Sequence, residues 1–389
     1  MKPLFKDLHL INRLNDTTIR IGSTADSSFD IEDKDGSIYL LLQLLNGKNT
    51  IKQIHKLLLQ EGYQAIQVDD IAESINTLNE LGFITDMEHL ERSKLNKKDI
   101  ERYKGNLNFF NLFSTLKESH YQKQEALCDA TITILGMGAF GANILIQLAG
   151  LGVKNINIVD FDEVCLSNLN RQFLFNEKSI GHFKVEEARK FIQDFNSDVR
   201  VHLYNQAISR ADDIKPLIAD SDFVVLAADQ PYIILPREVN KACVEMGIPF
   251  IAGGLTINSG QFFTIIPYES GCVDCMHLRN LKVSSSYHQS IVGFLDSNFI
   301  PPNAATAPGL MMTTGMIVSE VMKYITNTEK LVSRAKLHKI DFITFKSETG
   351  YQWDRYEEEC PTCGNGTHNT SFFQDVEKED YYLKDVVRR

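Results

Sequence analysis

Apolar residues follow two different periods in the first part of the chain, and each period predicts a different element. Leu8–Ile11 and Thr18–Ile21 alternate in the manner of strands. Thr50 with Gln53, and Asp70 with Glu73, have the spacing of capping boxes that begin helices. The apolar stretches that complete this region are Ser37–Leu45, the helical repeats after Thr50 and after Asp70, and the pair Phe83-Ile84. Two strands, three helices and a final strand predict a small winged-helix unit over residues 1–90.

Further along the chain, apolar strands alternate with helical stretches. Four strands are predicted, at Thr131–Leu135, Asn155–Val159, Val199–Tyr204 and Phe223–Ala227. Strands that alternate with helices form parallel, doubly wound sheets. After Pro249 the helices are lost from the pattern, and three more strands, partly antiparallel, are predicted at Phe250–Ile251, Gln261–Ile266 and Lys339–Phe345. The fold class is therefore α/β, a Rossmann-like domain with a mixed sheet, over residues 126–364.

Three segments lie outside these two domains or interrupt them. Residues 91–125 are interpreted as a linker followed by helices. The polar segment 365–389 is predicted to be a poorly ordered tail. Met276–Ala307 is interpreted as a mobile loop over the site, in which His277 and His288 are either substrate contacts or ordinary surface histidines.

Charge and composition narrow the class of protein. The 389-residue chain is 43% hydrophobic and carries a net charge of −11, which argues against a nucleic-acid binder. Ala130–Val153 has no charged residue and is long enough to cross a bilayer, but glycines, Asn143 and Gln147 interrupt it. A buried strand, a turn and a buried helix fit this stretch better. No secretory signal is visible near Met1, so we expect a cytoplasmic protein without a membrane partner.

A glycine motif follows the first strand of the main domain. Gly136, Gly138 and Gly141 have the GxGxxG spacing, and Asp160 ends the next strand. Glycines let the backbone turn tightly and approach phosphates, while the following helix offers free N–H groups to the anion. An acidic residue at the position of Asp160 suits the ribose hydroxyls. The motif alone is typical of oxidoreductases that bind dinucleotides.

Charged residues beyond the motif favour a nucleoside triphosphate instead. Arg171 and Lys184 place two cations after the second strand, and Asp229 follows the fourth strand. Ligands bind at the carboxyl ends of strands in open α/β sheets. A carboxylate there would repel phosphate unless a divalent cation lay between them. We therefore predict a site for ATP with Mg²⁺.

The residues now described resemble those of the ThiF/MoeB adenylating enzymes. The resemblance covers about residues 101–363 and rests on the stretch from Val159 to Gln172, VDFDEVCLSNLNRQ, followed by Lys184 and Asp229. It implies activation of a carboxylate by attack on the α-phosphate of ATP. The implied site residues are Asp160 at the ribose, Asn168, Arg171 and Lys184 at the phosphates, and Asp229 at Mg²⁺, with Gly136, Gly138, Gly141, Asp162 and Gln172 completing the nucleotide site.

One segment departs from the family pattern. The family carries an Arg-Tyr-x-Arg-Gln segment whose second arginine reaches into the partner subunit's active site, and this chain has Gly105 at that position. Either Lys104 or Arg102 substitutes for the arginine, or that contribution is absent. A homodimer is still implied by the resemblance.

Cysteines form two pairs, Cys272-x-x-Cys275 and Cys360-x-x-Cys363. Four thiolates in this spacing predict a closed, structural Zn²⁺ site rather than two disulfides. The other three cysteines, Cys128, Cys165 and Cys243, are interpreted as small buried hydrophobes. No cysteine lies between Cys275 and Cys360, where related ubiquitin-activating enzymes place a thioester-forming residue. Covalent capture of a carrier protein is therefore disfavoured.

The N-terminal region resembles the PqqD-like elements that bind leader peptides by strand addition. Joined to an adenylating domain, it resembles the enzymes of ribosomal peptide (RiPP) antibiotic biosynthesis, of the microcin C and pantocin A types. The implied substrate is a precursor peptide with a leader segment, activated at glutamate side chains or at its C-terminus. Activation of a sulfur-carrier protein, a leader-binding partner without catalysis and an oxidoreductase are the alternatives.

Overall fold

The computed structural model describes residues 1–22, 28–297, 305–368 and 370–383. The chain forms two compact units, Met1–Ala126 and Leu127–Arg389.

The first unit combines a small antiparallel sheet with helices. Its strands are β1 (Pro3–Phe5), β2 (Ile11–Asn15), β3 (Thr18–Ile21), β4 (Phe29–Glu32) and β5 (Ile84–Asp86). Its helices are α1 (Ser37–Leu44), α2 (Ile51–Gln60), α3 (Val68–Glu80), α4 (Glu88–Glu91), α5 (Lys97–Arg102), α6 (Lys104–Asn111) and α7 (His120–Asp129), which runs into the second unit. Strands β2, β3 and β4 form one sheet in that order, and β1 pairs with β5. Buried apolar residues of β3 and of α1, α2 and α3 form its core.

Local signals located the helices of this unit better than its strands. Thr50 caps α2, because its hydroxyl accepts from the Gln53 amide and the Gln53 side chain accepts from the Thr50 amide. The second capping box is wrong, since α3 begins at Val68 and the Asp70 carboxylate caps the amide of Gln67. The strand predicted at Leu8–Ile11 is displaced, since β2 begins at Ile11 and ends at Asn15. The pattern missed β1, which has only three residues, and β4, whose side chains are mostly exposed.

The second unit is built on an eight-stranded sheet. Its strands are β6 (Thr131–Leu135), β7 (Asn155–Val159), β8 (Arg200–Tyr204), β9 (Phe223–Leu226), β10 (Phe250–Leu255), β11 (Ser259–Ile265), β12 (Lys336–Asp341) and β13 (Ser347–Gln352). Its helices are α8 (Ala139–Leu151), α9 (Lys184–Phe195), α10 (Ala211–Ile218), α11 (Ile234–Met246), α12 (Val273–Val283), α13 (Tyr287–Asp296), α14 (Ala307–Thr326), α15 (Ser371–Val376) and α16 (Glu379–Leu383).

The strand order is β13-β12-β11-β10-β9-β6-β7-β8. The five strands from β10 to β8 are parallel, and β11, β12 and β13 add antiparallel pairs. This arrangement confirms the predicted α/β class with a mixed sheet. The strand predicted at Lys339–Phe345 is displaced, since β12 ends at Asp341 and a turn follows. Strand β13 was missed because most of its side chains are polar and exposed.

Two segments differ from their predictions. The C-terminal segment contains two short helices, α15 and α16, in which Phe372, Phe373, Tyr381 and Tyr382 are buried. These aromatic residues, rather than the polar average of the segment, decide its order. The predicted mobile loop after Met276 consists largely of α12 and α13, and its residues 298–304 lie outside the described part of the chain.

The uncharged stretch from Ala130 to Val153 forms β6, the glycine turn and α8. Within the described residues, no helix has the length and apolar character needed to cross a membrane.

Candidate functional site

The site lies at the point where the order in which strands are added to the sheet reverses direction. From β6 the chain proceeds to β7 and β8 on one side, and then returns to β9 on the other side of β6. The loops that leave β6 and β9 therefore diverge, and a crevice opens at the carboxyl ends of these strands. Gly136 begins the first loop, and Ala227 to Asp229 form the second.

The three motif glycines have different physical roles. Gly136 has φ of 100°, and a Cβ there would lie 2.7 Å from the backbone nitrogen of Ala228. A Cβ on Gly141 would lie 1.9 Å from the carbonyl oxygen of Gly136. A Cβ on Gly138 would meet no atom within 4 Å. Two glycines therefore allow close backbone packing, while Gly138 leaves open space at the N-terminus of α8.

The first turn of α8 is available to an anion. Gly138 is the N-cap of this helix, and no side chain caps it. The first amides of a helix lack intrahelical acceptors and carry its positive dipole end. An open N-terminus beside a crevice suits a phosphate group.

The crevice is a cleft that the glycine loop shares with the ends of three strands. Its lining contains Gly136, Gly138, Val159, Asp160, Phe161, Asp162, Gln206, Ile208, Ala227, Ala228, Asp229, Gln230 and Leu235. Five of the predicted nucleotide residues therefore come together here, namely Gly136, Gly138, Asp160, Asp162 and Asp229. Gly141, Asn168, Arg171, Gln172 and Lys184 are outside the lining.

Asp160 holds the glycine loop in place. One carboxylate oxygen accepts from the amide of Met137 at 2.6 Å, and the other accepts from the amide of Asp162 at 2.7 Å. Burial raises the pKa of Asp160, against the opposing effects of Lys184 and of these two amides. A carboxylate has about four acceptor positions, so capacity remains for ribose hydroxyls.

Lys184 does not line the cleft itself but contacts Asp162, which does. Its ammonium group donates to the Asp162 carboxylate at 2.7 Å, and its amide donates to the Asp162 carbonyl at 2.9 Å. The lysine side chain is buried, while Asp162 lines the cleft. This pair fixes a cation at the edge of the cleft, in the first turn of α9.

Asn168 ends the 3₁₀ turn Leu166–Asn168, and Arg171 and Gln172 belong to the loop that follows this turn. Asn168 accepts from the amide of Cys165 at 3.0 Å, so it shapes this loop. Arg171 donates to the carbonyl of Ser167 at 2.8 Å, while its Nε is buried without a partner among the described residues. The side-chain oxygen of Gln172 is likewise buried and unpaired in the described structure. Both groups retain unused hydrogen-bonding capacity.

Asn143 is a site residue that sequence reasoning missed. This buried residue of α8 donates from one side-chain nitrogen to the carbonyl of Ala139 at 2.8 Å and to that of Arg171 at 3.0 Å. It therefore ties the helix of the glycine motif to the Arg171 loop. The available signal was that Asn143 is one of two polar side chains, with Gln147, in a helix that carries no charge.

Asp229 is exposed and lines the cleft. In the described part of the chain, no hydrogen bond or ion pair occupies its carboxylate. Exposed carboxylate oxygens at a phosphate site are suitable ligands for Mg²⁺. The position fits a magnesium ligand, which remains a prediction.

The four paired cysteines form a compact cluster. The Sγ–Sγ distances are 3.9 Å for Cys272–Cys275, 3.5 Å for Cys272–Cys360, 3.4 Å for Cys275–Cys363 and 3.6 Å for Cys360–Cys363. A tetrahedral zinc ion with Zn–S bonds of about 2.3 Å requires S–S edges of about 3.8 Å. The sulfurs are too far apart for disulfides and close to this edge length. The donor set therefore fits structural Zn²⁺.

Neighbouring groups hold the two cysteine pairs together. Asp274, between the cysteines of the first pair, accepts from the Thr362 hydroxyl of the second pair at 2.7 Å. The same carboxylate forms a buried ion pair with Arg237 of α11. Hydrogen bonds around metal ligands orient them and tune the site. These contacts preorganise the cluster.

The remaining candidate residues match their predicted surroundings in part. Cys243 is buried, as expected, and burial raises the pKa of its thiol, whereas Cys165 is exposed. His277 is buried against Tyr287 and is therefore no surface histidine. His288 pairs with Asp375 of α15. Neither histidine is part of the cleft lining.

Solved structures share the fold over almost the whole chain. MccB of E. coli in complex with ATP superimposes with a TM-score of 0.72 at 22% identity, covering 94% of this chain and 100% of that chain. PaaA superimposes with a TM-score of 0.68 at 24% identity, covering 90% of this chain and 100% of that chain.

Curated relatives match a shorter region. The "Adenylyltransferase and sulfurtransferase MOCS3" of Culex quinquefasciatus is 33% identical over 47% of this chain and 40% of its own length. The molybdopterin-synthase adenylyltransferase of Escherichia coli K12 is 32% identical over 41% of this chain and 64% of its own length. The chain thus spans about half the length of these relatives.

The family model named ThiF matches residues 106–362, well over half of the chain. The matched region contains the glycine loop, the cleft and three of the four clustered cysteines. The chain belongs to the ThiF family.

Proposed function

We propose that this protein uses ATP and Mg²⁺ to adenylate a carboxyl group of a ribosomally made precursor peptide in peptide-antibiotic biosynthesis. The carboxyl groups that we favour as substrates are those of glutamate side chains. The observation that carries the proposal is the cleft, where an open helix N-terminus, Asp160 and Asp229 meet at the point of topological reversal. The names of the curated relatives, adenylyltransferases, support the same reaction class.

In the proposed reaction, a substrate carboxylate attacks the α-phosphate of ATP. A bond forms between the carboxylate oxygen and phosphorus, the bond from phosphorus to the bridging oxygen breaks, and pyrophosphate leaves with that electron pair. Mg²⁺, when bound, would neutralise phosphate charge near Asp229. The chain's own contributions are the amides of α8, the carboxylate of Asp160 at the ribose, and the cations of Arg171 and Lys184. Fixed positive groups stabilise the charge that develops in the transition state.

Lys184 suits this role because its position is set before ATP binds. Its ion pair with Asp162 is short and its side chain is buried, so few rotamers are available to it. Holding the charge in advance avoids reorganisation during the reaction. Arg171 would also contribute a positive charge, and its unpaired Nε would donate a hydrogen bond to a bound phosphate.

The peptide substrate is supported by how far the likeness extends. The MccB and PaaA structures are matched along essentially their entire chains, including the N-terminal region, whereas the curated adenylyltransferases are matched in part. One of the MccB structures contains N-formylated MccA. We infer that the first unit is a winged-helix, PqqD-like element that binds a leader peptide along an edge of the sheet β2-β3-β4. Tethering the leader raises the local concentration of the reacting carboxylate.

Two features of the proposal concern the product and the assembly. Glutamate side chains are preferred over the peptide C-terminus on overall similarity, and mass spectrometry separates the two, since only the second leaves AMP on the peptide. We also infer a homodimer, in which Lys104 or Arg102 takes the place of the family arginine or that contribution is absent.

Activation of a sulfur-carrier protein is the second candidate. The identity of 32% to a molybdopterin-synthase adenylyltransferase favours it. Such an enzyme would not need residues 1–90. Removal of these residues would leave carrier activation intact, and would abolish peptide modification under our proposal.

Replacement of Asp229 by alanine tests the separation between chemistry and leader binding. We expect Asp229→Ala to abolish adenylation, since the only proposed magnesium ligand is lost, while leader affinity stays within about twofold of wild type. Asp220→Ala removes an exposed carboxylate at the other end of β9 and is expected to retain activity. Equal loss of turnover and leader binding in Asp229→Ala would contradict the proposal.

A further inference from the structure

The C-terminal helices pack beside one wall of the nucleotide cleft. This wall is the segment 205–210 between β8 and α10, in which Gln206 and Ile208 line the cleft. Residues 205–208 make no hydrogen bond to another residue in the described part of the chain. Ile208 packs against the hydrophobic core, and the hydrogen bonds that hold the segment lie at its ends.

The anchor on the α10 side is a buried glutamate that the C-terminal helix also contacts. Glu238 of α11 accepts from the amide of Ala211 at 2.9 Å through one oxygen. Its other oxygen accepts from the hydroxyl of Tyr382 and from the ammonium group of Lys241, both at 2.9 Å. Leu235, one turn earlier on α11, lines the cleft itself. Tyr382, Glu238 and the start of α10 thus form one continuous set of contacts.

Arg210 provides a second link between the wall and α16. Its guanidinium group lies over the ring of Tyr382, 4.3 Å from the ring centroid, and forms an ion pair with Glu379. The ion pair is exposed and contributes little by itself. The stacking contact adds to it, because Tyr382 is buried and fixed by its own hydrogen bond.

We propose that Tyr382 is a positioning residue for ATP, which acts through Glu238 and Arg210 to hold the 205–210 wall against the nucleotide. The inference rests on the proposed function of the cleft. It gives a role to the segment that the sequence predicts to be a poorly ordered tail. Tyr382 does not line the cleft, so its effect reaches the nucleotide indirectly, through the wall and through α11, which carries both Glu238 and Leu235.

Adjacent tyrosines provide a matched test. Tyr382→Phe removes the hydroxyl that contacts Glu238, and Tyr381→Phe removes one that donates to Asp296 of α13 instead. The dissociation constant for ATP, measured by calorimetry on the full chain, is expected to rise about two- to tenfold in Tyr382→Phe. It should stay at the wild-type value in Tyr381→Phe. The rate at saturating ATP should be unchanged in both variants.

Arg210→Gln tests the second contact between α16 and the wall, and it changes only an exposed residue. We expect a smaller loss of ATP affinity with an unchanged melting temperature. Wild-type affinity in Tyr382→Phe, or an equal loss in both tyrosine variants, would overturn the inference. If Tyr382→Phe does not fold, wild-type affinity in Arg210→Gln would overturn it. If the wild-type protein itself binds no ATP, the proposed function fails too.

Discussion

Gly138 differs from its two neighbours in the motif because the protein itself leaves its surroundings empty. Its φ of −72° is open to any residue, and a Cβ there would meet nothing within 4 Å. A requirement for glycine at this position would therefore come from the ligand.

We predict that Gly138→Ala folds with a melting temperature near that of wild type and binds ATP at least about tenfold more weakly, since the new methyl group occupies the phosphate's approach. Gly150→Ala, in the same helix with equally open surroundings, is the control and should bind ATP normally. Thermal unfolding and calorimetry check both expectations. Unchanged ATP affinity in Gly138→Ala would show that no phosphate lies there.

His120 makes the stability of the first unit sensitive to acid. Burial, with smaller effects of His89 and Lys6, lowers its pKa to about 4. Its Nδ1 is buried without a partner among the described residues. Because the unfolded chain binds the proton more strongly, stability is lost as pH falls from about 6.5 to about 4.

We predict that His120→Phe reduces the loss of stability of this unit between pH 6.5 and pH 4. Hydrogen exchange, read from peptides of residues 1–126, measures the opening free energy at each pH. The neighbouring His89 keeps some pH dependence in the variant, since burial also lowers its pKa. An unchanged slope in the variant would contradict the assignment to His120.

Residue identity was easier to predict from the sequence than residue geometry. The spacing of Gly136, Asp160 and Asp229 predicted a common cleft, because strand ends in a parallel sheet meet at one edge. The sequence did not predict that Lys184 is held by Asp162, or that Glu238 supports the cleft wall. Such contacts depend on side chains that tertiary packing brings together, and no local pattern records them.

At the scale of elements, the cysteine pairs join segments that are distant in sequence. The first pair begins α12, and the second lies after β13. Chelation by a metal would therefore fasten the C-terminal region to the sheet domain. The four buried sulfurs have the spacing that this requires.

We predict that the purified protein contains zinc and that Cys360→Ser loses it, with a fall in melting temperature of about 10 °C or more, because metal binding contributes directly to folding. Cys165→Ser changes an exposed cysteine outside the cluster and should keep both zinc and stability. Elemental analysis with thermal unfolding measures both properties. Wild-type protein that is purified without zinc, and whose melting temperature is the same with and without a chelator, would contradict the metal site.

Elements differed in how well the sequence predicted them. Buried parallel strands β6 and β7 were located at their observed bounds, because short, continuous apolar runs between turn signals are typical of strands that are buried on both faces. Strand β13 and helices α15 and α16 were missed, since their polar composition resembles that of loops. Strand β13 is held by its antiparallel pairing with β12, and the two helices make aromatic contacts with the rest of the unit, such as that of Phe372 with His277.

At the scale of the whole molecule, we assign different tasks to the two compact units. The first would select a peptide through backbone pairing, and the second would activate its carboxyl group. A substrate that is tethered in this way reacts at high effective concentration. The catalytic site therefore need not recognise the peptide sequence around the reacting carboxyl group.

Pyrophosphate exchange distinguishes activation of a tethered peptide from activation of a carrier protein. The purified protein is incubated with ATP, Mg²⁺, labelled pyrophosphate and candidate precursor peptides, each with and without its leader. We predict exchange into ATP that requires a peptide carboxyl group, falls by at least about tenfold without the leader, and is absent in Asp229→Ala. Exchange that no peptide stimulates, but that a sulfur-carrier protein supports without residues 1–90, would contradict the proposed function.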